Sequence, residues 1–295
     1  MQYSNFLTII YSQSIWLYFL LIAIFSLLVG SFLNVVIHRL PKMMENNWKT
    51  EFYDYFELEN PDTNKSNKPY NLLIPRSACP HCGHQITAFE NIPIISWLLL
   101  KGRCRSCKSS ISFRYPLVEF ITAVSSLFIA LHFEPSLLLF GYLFLNWALI
   151  ALLFIDLDKM LLPDQITIPL IWLGLIINLN SEAISVTDAF YGAIFGYMTL
   201  WSLYWIFKLI TGKEGMGYGD FKLLAALGAW LGWQQLPLIL ILSSFVGAIF
   251  GIAMIFLDKD KKSKPIPFGP YLAIAGWIAL LFGHQINNWY LGFLL

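Results

Sequence analysis

Gly215-Met216-Gly217-Tyr218-Gly219-Asp220, followed by Phe221 and Lys222, lies between two long apolar segments, 193–209 and 223–257. A carboxylate at the mouth of an apolar segment is costly, because a charge near hydrocarbon loses at least about 2–3 kcal/mol. Three alternating glycines in front of it leave the backbone bare and tolerant of unusual dihedrals. The combination suggests a place where another chain approaches closely and where Asp220 does chemistry. A simpler reading is also open: a glycine-rich turn in which Asp220 caps the start of a helix. A nucleotide-binding loop is disfavoured, since no strand pattern precedes the glycines.

The composition agrees with an environment of lipid. Hydrophobic residues make up 57% of the 295-residue chain and charged residues only 13%, against about 25% charged in soluble domains. Several apolar runs reach the roughly 18 residues that read as a membrane span. The pattern predicts an all-α polytopic membrane protein with about eight spans, near 15–37, 115–133, 137–155, 165–179, 189–210, 220–232, 236–257 and 270–289. The first run has no basic segment before it and no small-residue cleavage site, so it reads as an uncleaved span. Gly30, Ser31 and Asn34 within it are the small and polar residues of packed helix faces. His38-Arg39-Leu40-Pro41 marks the exit from the membrane, and 156–164 reads as a short loop. Three regions are expected: 1–38, a first helix; 39–114, the one sizeable polar region; and 115–295, a membrane domain.

Charge placement orients the spans. All 19 Lys and Arg fall in 38–114, 156–164, 208–222 and 258–264, which alternate with Lys- and Arg-free segments if the N-terminus lies outside. Asp156, Asp158, Asp164 and Asp220 then share the cytoplasmic face.

All four cysteines lie in the polar region, as Cys79-Pro-His-Cys82 and Cys104-Arg-Ser-Cys107. Each C-x-x-C pair can place two thiolates on one metal, and two pairs complete a tetrahedral site. A reducing compartment disfavours disulfides, and a metal would supply folding energy that a small charged region lacks. Structural zinc is therefore expected, with a closed set of sulfur ligands rather than a catalytic one. His81 and His84 are alternative ligands, but also ordinary loop histidines. Arg103, Arg105 and Lys108 can touch lipid headgroups or an anionic ligand, or form a solvated basic face. The 60–70 insert, rich in Asn, Lys and Pro, reads as a surface loop.

Asp220 needs a chemical partner. No serine-nucleophile signature and no His-Glu-x-x-His is present. Two facing aspartates can share one proton, so that one activates water while the other polarises a carbonyl. Of the three candidates, Asp164 follows Pro163 and can cap the next helix, and Asp158 sits beside Lys159. Asp156 follows Phe154-Ile155 most deeply and is the preferred partner. Glu119 is a second acid just inside a span.

These motifs, in this order, resemble the bacterial type IV prepilin peptidases, the bifunctional leader peptidase/N-methyltransferases of pilus and type II secretion systems. The likeness covers nearly the whole chain. The family's G-x-G-D motif resembles Gly217-Tyr-Gly219-Asp220, and its first catalytic aspartate resembles Asp156 in Ile155-Asp156-Leu-Asp158. Its N-terminal signature resembles Gly30-Ser-Phe-Leu-Asn-Val-Val-Ile-His-Arg-Leu-Pro41. Its cysteine-loop signature resembles Arg76 through Cys79, Asn91 through Trp97 and Gly102 through Cys104, and Arg114-Tyr-Pro-Leu-Val-Glu119 fits as well. The resemblance implies catalysis by Asp156 and Asp220, with Gly217 and Gly219 opening the substrate approach. It implies prepilin and pseudopilin substrates with basic leaders, and no nucleic-acid partner. It further implies N-methylation with S-adenosylmethionine, zinc on Cys79, Cys82, Cys104 and Cys107, and an inner-membrane location with the active site toward the cytoplasm. The methyl-donor site is not located by the sequence; the resemblance places it near 39–114. Glu45, Glu51, Asp54, Glu57 and Glu59 can attract a basic leader or simply be solvated. An ion-coupled transporter would carry mid-membrane charges and repeats, and a non-catalytic zinc scaffold would leave Asp220 and its glycines unexplained.

Overall fold

The computed structural model describes residues 6–58, 70–179, 181, 183–257 and 266–294. Glu59, the insert at 60–70 apart from Tyr70, and the charged loop at 258–264 lie outside the described residues. Among those described, ten helices carry the apolar sequence: α1 (Phe6–Gln13), α2 (Ile15–Tyr55), α3 (Ile95–Leu99), α4 (Arg114–His132), α5 (Leu137–Lys159), α6 (Asp164–Leu179), α7 (Val186–Thr211), α8 (Tyr218–Leu231), α9 (Leu236–Leu257) and α10 (Gly269–Leu294). The only β pairings among the described residues are two isolated bridges, Ala78 with Gln85 and Arg103 with Ser110. The fold is the expected all-α one. Five helices among the described residues are long and apolar enough to cross a membrane: Ile15–Tyr55, Arg114–His132, Leu137–Lys159, Val186–Thr211 and Trp233–Ala253. By contrast α8, with 14 residues, rises only about 21 Å against a hydrocarbon core of about 30 Å.

Two boundaries differ from expectation. The first helix does not end near Pro41 but runs on to Tyr55; a proline costs a helix one hydrogen bond without always ending it. The loop expected at 156–164 is only 160–163, because α5 continues through Asp156 and Asp158 to Lys159 and α6 begins at Asp164. The real end of α5 is Met160, in the left-handed region, whose amide bonds back to the Asp156 carbonyl at 2.9 Å. Pro163 then disfavours helical dihedrals at Leu162.

The chain divides into two compact units, one of Ile9–Phe128 and one chiefly of Ile129–Leu295. In the first, α2 and α4 approach closely at Gly30, where a Cβ would stand 2.8 Å from the Glu119 Cα and 3.1 Å from the Thr122 Cβ. Asn34 Nδ2 donates to the Tyr115 carbonyl at 3.1 Å. The small and polar residues read from the sequence as a packing face do pack, as membrane helices require without water to drive them together.

In the second unit α8 is the hub, touching α6, α7, α9 and α10. Its residues from Phe221 to Leu231 are buried, Lys222 apart. Gly192 of α7 faces Gly228 of α8 backbone to backbone, and Gly196 leaves space for the Leu224 carbonyl at 2.6 Å from where a Cβ would be. Trp230 is fully buried, in a notch left by Gly141 and Gly174. Its Nε1 donates to the Leu170 carbonyl at 2.8 Å, and Asn178 Nδ2 donates to the Ala229 carbonyl at 2.9 Å. A short helix is thus fixed at its far end, which holds its N-terminus still.

Candidate active site and metal centre

Asp156 sits in the last turn of α5 and Asp220 in the first turn of α8, and both are buried, 5% and 7% exposed. The two carboxylates are close enough for the charge of Asp156 to act on Asp220. Asp220 is not the cap of α8. Gly217 takes that position and Asp220 is the third helical residue, so its carboxylate reaches back to accept from the Gly217 amide, as an acid does in half of a capping box. Its Oδ1 is buried without a hydrogen-bond partner. A buried polar atom left unpaired is costly. Asp156 accepts from the Gly269 amide.

Sequence reasoning missed what joins these two residues. Leu162, from the linker after α5, is wedged between Gly219 and Gly269. A Cβ on Gly219 would stand 2.7 Å from the Leu162 Cβ, and one on Gly269 would meet Asp156 Oδ2 at 2.5 Å and Leu162 Cδ1 at 3.1 Å. Gly219 is therefore needed for close approach, whereas around Gly217 only Asp220 Oδ2 comes near, at 3.7 Å. Asp158 is exposed. Asp164 opens α6 and pairs with Lys222 of α8, whose Nζ stands 2.7 and 2.8 Å from its two oxygens. That ion pair ties together the beginnings of α6, which follows Asp156, and α8, which carries Asp220.

The cysteines make a second centre, in the first unit. Their four sulfurs lie within 4.8 Å of one another, with Cys79 to Cys107 at 3.8 Å and Cys82 to Cys104 at 4.0 Å. Zinc–sulfur bonds of about 2.3 Å in a tetrahedron place sulfurs about 3.8 Å apart, so the four residues fit that ion. The two halves match position for position. In each, the first cysteine's amide bonds forward, Cys79 to the His84 carbonyl at 2.9 Å and Cys104 to the Ser109 carbonyl at 2.8 Å. In each, the residue after the second cysteine is left-handed, Gly83 at φ +71° and Lys108 at φ +60°. The bridges Ala78–Gln85 and Arg103–Ser110 close the two knuckles. The amides of His81 and Cys82, with the Ser109 hydroxyl, pull the Cys79 thiol down to about 6. Cys82 stands at about 11: the His84 amide favours its thiolate, but desolvation and the neighbouring sulfurs outweigh it.

The loop histidines are outside this cluster. His84 Nε2 meets Glu90 at 3.2 Å, and the Thr87 amide, donating to Glu90 at 2.9 Å, holds that carboxyl below its ordinary range. Glu119 accepts from the Ile94 amide at 2.7 Å and from the Ser31 hydroxyl. It thereby fastens the middle of the cysteine loop, at a residue with φ +61°, to the α2–α4 pair. Arg39 does the same for the loop's beginning: its guanidinium donates to the carbonyls of Asn71 and Pro75 at 3.0 and 2.6 Å.

Residues 24–133 match the model of the bacterial peptidase A24 N-terminal domain, and residues 143–252 match that of the type IV leader peptidase family. The chain is 61% identical over 280 residues to a prepilin leader peptidase/N-methyltransferase of Aeromonas salmonicida, covering 95% of this chain and 96% of the relative. It is 62% identical over 276 residues to that of Aeromonas hydrophila, covering 94% of each chain. To that of Pseudomonas aeruginosa it is 58% identical over 268 residues, 91% of each. No solved structure matches the chain. With identity this high over nearly the full length of both partners, the chain belongs to the prepilin leader peptidase/N-methyltransferases of the type IV leader peptidase family.

Proposed function

We propose that this protein removes the leader from prepilins and pseudopilins by a two-aspartate hydrolysis and then methylates the new N-terminal amine. The observation that carries the first half is the meeting of two buried carboxylates, Asp156 and Asp220, at the ends of α5 and α8. One carboxylate takes a proton from water as the water oxygen attacks the scissile carbonyl carbon, and the other, protonated, donates to the carbonyl oxygen. Collapse of the tetrahedral intermediate breaks the carbon–nitrogen bond, and the departing amine takes up the proton. The bare backbone at Gly217, around which only Asp220 comes near, lets the extended substrate lie close to both acids, while Gly219 makes room for Leu162 beside them.

The second half is assigned to the region 39–114. There Cys79, Cys82, Cys104 and Cys107 would hold zinc, which would tie the two knuckles together. S-adenosylmethionine, when bound, supplies the methyl group. The peptidase domain is assigned to 115–295, and the first membrane span to the 1–38 region, where α2 begins at Ile15. The distribution of Lys and Arg supports an N-terminus in the periplasm and an active site facing the cytoplasm of an inner-membrane protein. Glu45, Glu51 and Asp54 on the α2 extension are assigned the role of attracting a basic leader.

The test is cleavage of a prepilin by purified protein in detergent, comparing the unmodified chain with Asp156→Asn and Asp220→Asn. Each substitution keeps the shape and removes the acid–base chemistry, and a loss of about 10²–10⁴-fold in rate is expected. Cleavage by a folded Asp220→Asn variant at the unmodified rate would reject the mechanism.

A further inference from the structure

Between Asn91 and Val118 the chain carries five Lys and Arg and no Asp or Glu. Three of these cations, Lys101, Arg103 and Lys108, line one concavity of about 440 Å³ together with Leu99 and Leu100. Leu98 and Leu99, at the end of α3, are 60% and 78% exposed, which is unusual for leucines in a polar loop. The ledge that presents them is rigid. The Trp97 indole lies beneath Gly102, where a Cβ would stand 2.9 Å from it, and its Nε1 donates to the Ile111 carbonyl at 3.2 Å. The Gly102 amide bonds to the Trp97 carbonyl at 2.9 Å, and the Ile111 amide bonds to the Gly102 carbonyl at 2.7 Å. Left-handed turns at Lys101 and Lys108 complete the concavity from both sides.

We propose that this concavity is a binding site for the phosphate of an anionic phospholipid, with the leucines set into the acyl boundary of the same leaflet. Two observations favour lipid over a soluble occupant. The cations are combined with exposed aliphatic side chains, the pairing that seats a segment at a charged bilayer surface. The site is also tethered to a membrane helix. The candidate span α4 begins at Arg114, so close after Lys108 that the extended chain between them reaches at most about 21 Å. Arg105, on the same knuckle, is turned instead toward Glu90, at 3.9 Å, and is not part of the grip. The site is distinct from the two carboxylates and from the four sulfurs, and stands whether or not the catalytic assignment does.

The experiment is amide hydrogen exchange on the full-length protein in nanodiscs of phosphatidylcholine alone or with phosphatidylglycerol. At about 1 kcal/mol per cation near an anionic surface, three cations favour the anionic lipid on the order of a hundredfold. Exchange across 98–108 is therefore expected to slow at least severalfold when phosphatidylglycerol is present, with 70–90 unchanged. A K101Q/R103Q/K108N variant removes the charge, while asparagine tolerates the left-handed turn at 108; its zinc content checks that the knuckles persist. The slowing should vanish in this variant. Equal exchange in the two lipids, or slowing that survives in the variant, overturns the proposal. Slowing in phosphatidylcholine on adding glycerol 3-phosphate would show a site for soluble anions and also overturn it.

Discussion

The cysteine knuckles and helix α8 hold chemistry in place by opposite means. The knuckles have almost no interior. Cys82 and Cys107 are exposed, and the loop's geometry rests on backbone hydrogen bonds, left-handed turns and four converging sulfurs. Helix α8 has few polar ties, and its position comes instead from an unbroken buried run, Leu223 to Leu231, with the Trp230 indole set among its neighbours. One region is shaped by converging cysteines, the other by close packing. What destroys one should leave the other standing.

The sharpest way to break this comparison is Cys104→Ser, at the one buried cysteine. Removing a ligand from a structural site removes folding energy outright. Methyl transfer to a pre-cleaved peptide is expected to fall at least about a hundredfold with the metal, in line with the weight of ligand-sphere residues, while leader cleavage changes little. Equal loss of both activities would mean that the two regions are not independent. Acid should act on the same region. The folded loop holds Cys79 near 6, below the usual 9.0. Its thiolate contribution is thus present above the usual thiol value and is lost as pH falls through about 6. The fold of the metal-free loop, followed by amide hydrogen exchange across 77–86, should weaken over that interval.

Packing is probed by Gly219→Ala, whose Cβ must displace Leu162. A misplacement of about 1 Å near reacting groups can cost on the order of 10²-fold in rate. The cleavage rate should fall by that order with metal content unchanged, and Leu162→Ala in the same chain should restore part of it. The smallest effect is expected at the ion pair. Lys222→Met or Asp164→Asn removes a partly exposed contact worth about 0.2–1 kcal/mol, hence a fewfold loss of cleavage rate. The reversed pair, Lys222→Asp with Asp164→Lys, should recover more than either single reversal; if it does not, the pair has no positioning role.

How far the sequence can be read follows the same division. The knuckles are legible because their ligands are local in sequence. Their matching halves are not, since the match lies in turns rather than in residue identities: Gly83 and Lys108 share a conformation, not a chemistry. Asp156 and Asp220 are legible because a carboxylate stands out in apolar sequence. The residues that join them are not. Leu162, Gly269 and the Lys222–Asp164 pair act through contacts between remote segments, and nothing near Gly269 distinguishes it from an ordinary helix start. The ends of α2 and α5 lie beyond their expected positions for a simpler reason: polar residues mark where apolar surface ends, not where a helix does.

The shortness of α8 has an electrical consequence. A protease that hydrolyses inside a membrane must let water reach its acids without opening a path for protons through the bilayer. From Asp220 to Trp230 the helix rises about 15 Å, and that length is filled with buried side chains ending in an indole whose N–H is already committed to Leu170. Water that reaches the carboxylates therefore meets a dry plug rather than a second exit. The same helix that presents Asp220 closes off the interior behind it.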